Sequence, residues 1–81
     1  MKDDVVVAVD VKSFPVKCDA LDTLRSIISC STIDIRTDSP RDYLKRCEEL
    51  AESYSLVIPC TRNMFIRDHL LNNGVNLILT V

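Results

Sequence analysis

Four short apolar runs, Val5–Val9, Thr32–Thr37, Leu56–Ile58 and Val75–Val81, alternate with segments whose apolar residues recur at helical spacing. An apolar run that is repeatedly followed by a helix constrains a chain more than any single residue does. It predicts an α/β domain with a mostly parallel sheet, because parallel neighbours need a crossover and a helix is the usual one. At 81 residues the chain has room for one such domain, residues 1–81. That length is close to the smallest that folds without a disulfide, a metal or a partner.

The runs differ in kind. Val5-Val6-Val7-Ala8-Val9 is apolar without alternation, as expected of a central strand covered on both faces, and Asp10 follows where it stops. Thr32–Thr37 alternates strictly and shows Asp34 and Arg36 to water, which predicts an edge strand. Leu56-Val57-Ile58 reads as a short buried strand ended by Pro59. Val75–Val81 is apolar on both faces apart from Asn76 and Thr80, so it too reads as buried.

Three helices are expected between these runs. The first spans Asp19–Ser29, with Ala20, Leu21, Leu24, Ile27 and Ile28 in its stripe and Asp19 and Asp22 where a helix N-terminus favours acids. The second starts at Ser39-Pro40-Arg41-Asp42, a capping residue, a proline at the first helical position and an acid three residues after the cap. Its stripe is Tyr43, Leu44, Cys47, Leu50, Ala51 and Tyr54; Arg41, Lys45, Glu48, Glu49 and Glu52 form a wet face with glutamates in reach of Arg41 and Lys45. Thr61 is the expected cap of a third helix running through Asn73. Gly74, the single glycine of the chain, then takes the left-handed position that closes it.

Right-handed crossovers favour the strand order 2-1-3-4, a three-layer βαβαβαβ domain of the Rossmann or flavodoxin kind. The first helix then lies alone on one face of the sheet, and the second and third share the other. This topology puts Val75–Val81 at an edge although it is apolar on both sides, and leaves one helix to cover four strands. A second copy of the chain would mend both faults, so a homodimer through Val75–Val81 is expected.

Composition narrows the function. Twelve acids and ten bases, formal charge −2, are interleaved along the chain, and no basic run accompanies Phe14, Tyr43, Tyr54 or Phe65, so nucleic acid is not the expected partner. No apolar run is long enough for a membrane span, and Met1–Asp4 leads into the first strand without a signal-peptide core, which makes the cytoplasm the expected compartment. Cys18, Cys30, Cys47 and Cys60 lack the close spacing of zinc or dithiol motifs and read as reduced thiols filling the core.

Candidate ligand-binding residues gather where the strands end: Asp10 and Lys12 after the first, Asp38 and Ser39 after the second, Cys60, Thr61 and Arg62 after the third. Cys60, between a strand and a helix N-terminus, is the candidate nucleophile, with Arg62 and Arg67 as nearby positive charge. The strand–Cys60–helix order resembles the phosphate loop of low-molecular-weight tyrosine phosphatases and of sugar-phosphotransferase B domains. Ile66 stands where the phosphatases carry an arginine, and the loop glycines are absent. Val57–Thr61 together with Gly74-Val75-Asn76 is similar to one β/α unit of transaldolase-like barrels, with Val57 at the Schiff-base lysine position, so that resemblance implies no aldol chemistry.

Asp10 and Asp38 are candidate oxygen ligands for a divalent cation, and Val5–Asp10 looks like the first strand of small metal-dependent nucleases. His69 has no second histidine to work with and reads as a packing or surface residue. With one glycine there is no loop to cradle a phosphate, and no cofactor is expected. The leading expectation is a non-catalytic cytosolic binding or protein-interaction module, homodimeric. The rivals are a small enzyme or redox sensor centred on Cys60 and a metal-dependent phosphoryl-transfer or nuclease protein using Asp10 and Asp38.

Overall fold

The computed structural model describes residues 4–14 and 19–79. Elements follow in the order β1 (Val5–Asp10), α1 (Asp19–Ile27), β2 (Ser31–Ile35), α2 (Pro40–Leu50), β3 (Leu56–Cys60) and α3 (Met64–Asn72). The three strands form one parallel sheet in the order β2-β1-β3. Val7 lies beside Thr32 on one side and Ile58 on the other.

Side chains on these strands alternate between two cores. Val6 and Ala8 join Ile35, Tyr43, Cys47, Leu50, Ile66 and Leu70 under α2 and α3. Val7 and Val9 join Phe14, Ile58 and Cys60, against which Ala20, Leu21 and Leu24 of α1 pack half-buried. Helices therefore cover both faces, two on one and one on the other. No residue of α1 is fully buried, whereas α2 buries Tyr43, Cys47 and Leu50 and α3 buries Ile66 and Leu70.

Local chemistry accounts for the element ends. Ser39 is extended (φ −84°, ψ 118°) and its hydroxyl accepts from the Asp42 N–H at 3.2 Å, with Pro40 at the first helical position, as the sequence predicts. Gly74 sits at φ +84°, its N–H donating to the Leu71 carbonyl while the Val75 N–H donates to that of Leu70. This pair of bonds is the Schellman closure, and Val75 packs on the same core as Leu70. On α2 the ion pair is Arg46 with Glu49 at 3.5 Å, rather than one through Arg41 or Lys45.

Four expectations are corrected. β2 is Ser31–Ile35 instead of Thr32–Thr37. Pro59 does not end β3, which continues to Cys60. Residues of a parallel strand turn their N–H and C=O groups alternately to either neighbour, and the Pro59 carbonyl accepts from Leu79, away from β1. The N–H that proline lacks is therefore missing only on that outer side. Asn63, not Thr61, caps α3, its Oδ1 accepting from the N–H groups of Phe65 and Ile66 at 2.9 and 3.2 Å. Finally, Val75–Ile78 is not a strand; Leu79 makes one isolated parallel bridge to Cys60, and Thr80 and Val81 lie outside the described residues, as do residues 15–18, Cys18 among them.

Candidate functional site

Strand order reverses between β1 and β3, because the first crossover carries the chain to one side of β1 and the second to the other. Open parallel sheets place ligands at the carboxyl end of that seam. Here the seam is held by Tyr43, whose phenol is fully buried. Val9 pairs with Cys60, so the Ala8 carbonyl and the Cys60 N–H face each other across the seam. The Tyr43 hydroxyl donates to the first and accepts from the second at 3.2 Å. Burial pushes the Tyr43 hydroxyl far above its ordinary titration range. Burial likewise raises the neighbouring Cys47 thiol from 9.0 to about 11, so both are protonated at neutral pH.

Beyond the seam, Asp10 closes β1 with its side chain 1% exposed. Its Oδ2 accepts from the Thr61 hydroxyl at 2.8 Å, across the reversal point, while Oδ1 is buried with no hydrogen-bond partner among the described residues. Thr61 is also 1% exposed, and its Oγ1 accepts from the Asn63 N–H at 3.0 Å, so one hydroxyl joins the end of β1 to the start of α3. Ser13 makes a second tie between the same loops, donating to the Asp10 carbonyl at 3.1 Å and accepting from the Arg62 N–H at 2.9 Å. Arg62 stacks its guanidinium over Phe14 with 4.6 Å to the ring centroid.

The loop after β2 is built the same way as the loop after β3. The Thr37 hydroxyl accepts from the Ser39 N–H at 3.1 Å, and Ser39 caps α2, just as Thr61 serves Asn63 and Asn63 caps α3. Each strand thus enters its helix through threonine, one exposed residue and a cap, with Asp38 and Arg62 in the exposed middle place. This repeated Thr-x-Ser/Asn spacing is a signal that a reading of single caps passes over. Phe14, Ser13, Asn63 and Tyr43 all contribute to the carboxyl edge without standing out as site residues in the sequence.

The sequence-based candidates fall into two groups. Asp10 and Thr61 meet directly, and Arg62 lies beside them through Ser13. Lys12 and Asp38 pair with each other at 2.9 Å in the open, their side chains 44% and 76% exposed, where an ion pair contributes little. Asp38 is turned to solvent and Asp10 to the interior, and among the described residues no three His, Cys, Asp or Glu side chains come together as a cation cage. Ser39 spends its hydroxyl on the helix cap. Cys60 is the last residue of β3, fully buried on the α1 side, and α3 begins only at Met64. A nucleophile needs an accessible thiolate, and the described residues enclose this sulfur.

A second feature lies at the β2 edge. Asp34, Ile35, Arg36 and Thr37 of the strand end, with Asp42 and Arg46 of α2, line an open hollow of about 380 Å³. Two acids and two bases surround it, so it carries no net charge. No protein-family model, no curated protein and no solved structure matches this chain, and the carboxyl edge and the β2 hollow are therefore read from their own geometry.

Proposed function

We propose that the chain is a non-catalytic protein-interaction module that acts as a homodimer in the cytoplasm. The observation that carries this reading is the unequal finish of the sheet. β2 ends it on one side with no strand beyond among the described residues, and α1 covers a whole face without burying any residue completely. At the carboxyl edge Asp10 Oδ2, Ser13, Thr61 and the Arg62 and Asn63 N–H groups are engaged with one another, holding loops in place. The free thiols of Cys30 and Cys47 suit a reducing compartment, and no helix among the described residues is long and apolar enough to cross a membrane.

The finer fold belongs to the same proposal. The bridge from Leu79 to Cys60, with the Thr61 N–H donating to Leu79 at 3.1 Å and the Leu79 N–H to Pro59 at 2.7 Å, supports a fourth parallel strand beginning beside β3. The order would then be 2-1-3-4, of the Rossmann kind. Light scattering over a concentration series tests the association: a dimer is expected at micromolar concentration, and a chain still monomeric at high micromolar concentration overturns the reading.

A further inference from the structure

Building on this homodimer, we infer that its contact is the β2 edge, two copies of β2 pairing antiparallel across a twofold axis at Ile35. The Val11 N–H donates to the Ile35 carbonyl at 3.2 Å, so the polar groups of Ile35 face β1. Alternation then turns the N–H and C=O of Thr32 and Asp34 outward, toward the open edge, and Arg36 follows directly where the strand ends. An exposed row of this kind is a template for another strand. The hollow of about 380 Å³ alongside it leaves space for one.

The occupant follows from the charges. A twofold interface sets each surface against itself, so it must be self-complementary. Antiparallel pairing centred on Ile35 places Asp34 opposite Arg36 of the second copy and Arg36 opposite its Asp34. Asp34 is outward-facing and Arg36 would extend the strand by one residue on pairing, so each such pair would exchange main-chain hydrogen bonds as well as join opposite charges. Centring on Asp34 or on Arg36 would set like charge against like. Centring on Ile33 would match Asp34 with Thr32 and leave Arg36 outside the pairing, and a centre between residues would face outward groups with inward ones. Asp34 and Arg36 are exposed, and among the described residues neither has an ion-pair partner in its own chain.

The neutrality of the hollow fits the same occupant, since two acids and two bases are what a surface needs to meet its own copy without repulsion. Ile35, 6% exposed under α2, would meet its counterpart at a close, non-hydrogen-bonded position and extend the α2 side of the core across the axis. The product is one continuous sheet running β3-β1-β2 and then, in the second copy, β2-β1-β3. Leu79 already occupies the outer side of β3, which leaves β2 as the edge with unmet main-chain groups among the described residues.

Charge reversal tests the register. Asp34→Arg or Arg36→Asp alone turns both cross-strand pairs into like-charge pairs and raises the dimer dissociation constant by roughly tenfold. The double swap restores it to within about twofold, and because both side chains are exposed the monomer fold, checked by circular dichroism, is unchanged. A wild-type dimer that ignores all three variants overturns this interface while leaving the homodimer reading intact. In that event Leu77→Lys, on the Val75–Leu79 side, locates the contact there. A wild-type chain that never dimerises overturns both.

Discussion

The two faces of the sheet are made from the same strands yet are finished differently. Under α2 and α3, Val6, Ala8, Tyr43, Ile66 and Leu70 have no exposed surface at all. On the other face Val7 and Cys60 are equally enclosed, but α1 above them is half-buried along Ala20, Leu21 and Leu24 and shows Ile27 73% to solvent. The first face is closed by two helices that also pack on each other, the second by α1 alone among the described residues. A helix that buries only a shallow stripe contributes little and opens early, so the faces should differ in energy and in dynamics more than in outline.

The largest expected effect contrasts a truncation on each face. Ile66→Ala empties a site with no exposed surface, and should destabilise the protein by about 2–5 kcal/mol through lost burial and a cavity that α2 and α3 cannot collapse. Leu24→Ala on α1 removes a side chain that is already partly wet, and should cost about 1 kcal/mol or less. Urea unfolding of the two variants decides the matter. Equal losses would mean that α1 is docked as firmly as its counterparts, and the contrast between the faces would be gone.

A smaller effect is expected from Tyr43→Phe, which keeps the ring and removes the hydroxyl between the Ala8 carbonyl and the Cys60 N–H. The loss should be about 1–3 kcal/mol if those groups are left unmet, and near zero if β1 and β3 close the bond between themselves. Alkali gives an independent readout. Tyr43 and Cys47 are held protonated by burial, so above their ordinary ranges the folded chain binds more protons than the unfolded one. Stability therefore falls as pH rises from about 9, where unfolded Cys47 ionises, toward its folded value of about 11. Tyr43→Phe should abolish the part beginning near pH 10 and keep the Cys47 part, since burial raises that thiol and the Tyr43 hydroxyl that is removed only lowers it.

How far the chain could be read in advance depended on how local each feature is. Ser39-Pro40 and Gly74 announce their structures because cap and left-handed turn are properties of a few consecutive residues. The central position of Val5–Asp10 and the edge position of β2 follow from unbroken and alternating patterns. Pro59 misled because its effect depends on which neighbour its missing N–H would have faced, a fact of the sheet and not of the segment. Thr61 and Asn63 are two cap-capable residues two apart, and the Thr61 hydroxyl serves instead to join the Asn63 N–H to Asp10, which is 51 positions distant from Thr61. Tyr43 could be assigned to a core stripe from periodicity, but its place in the seam between β1 and β3 is 35 residues removed from Ala8 and is invisible to any pattern.

The least invasive way to sharpen the contrast leaves stability untouched and uses two buried thiols as clocks. Cys47 lies in the core closed by α2 and α3, and Cys60 in the core covered by α1; both are buried in the folded chain. A reagent reaches Cys60 once α1 swings away, whereas Cys47 waits for two helices that hold each other. Alkylation of single-thiol variants, each rate divided by that of the same thiol in the unfolded chain, converts accessibility into an opening free energy and cancels intrinsic reactivity. Cys60 should open more cheaply than the global unfolding free energy and with a shallow dependence on urea, because little surface is exposed when one helix detaches. Cys47 should open at the global value with the full urea slope. If both thiols follow global unfolding, α1 is part of the same cooperative unit as the other two helices, and its shallow burial has no dynamic consequence.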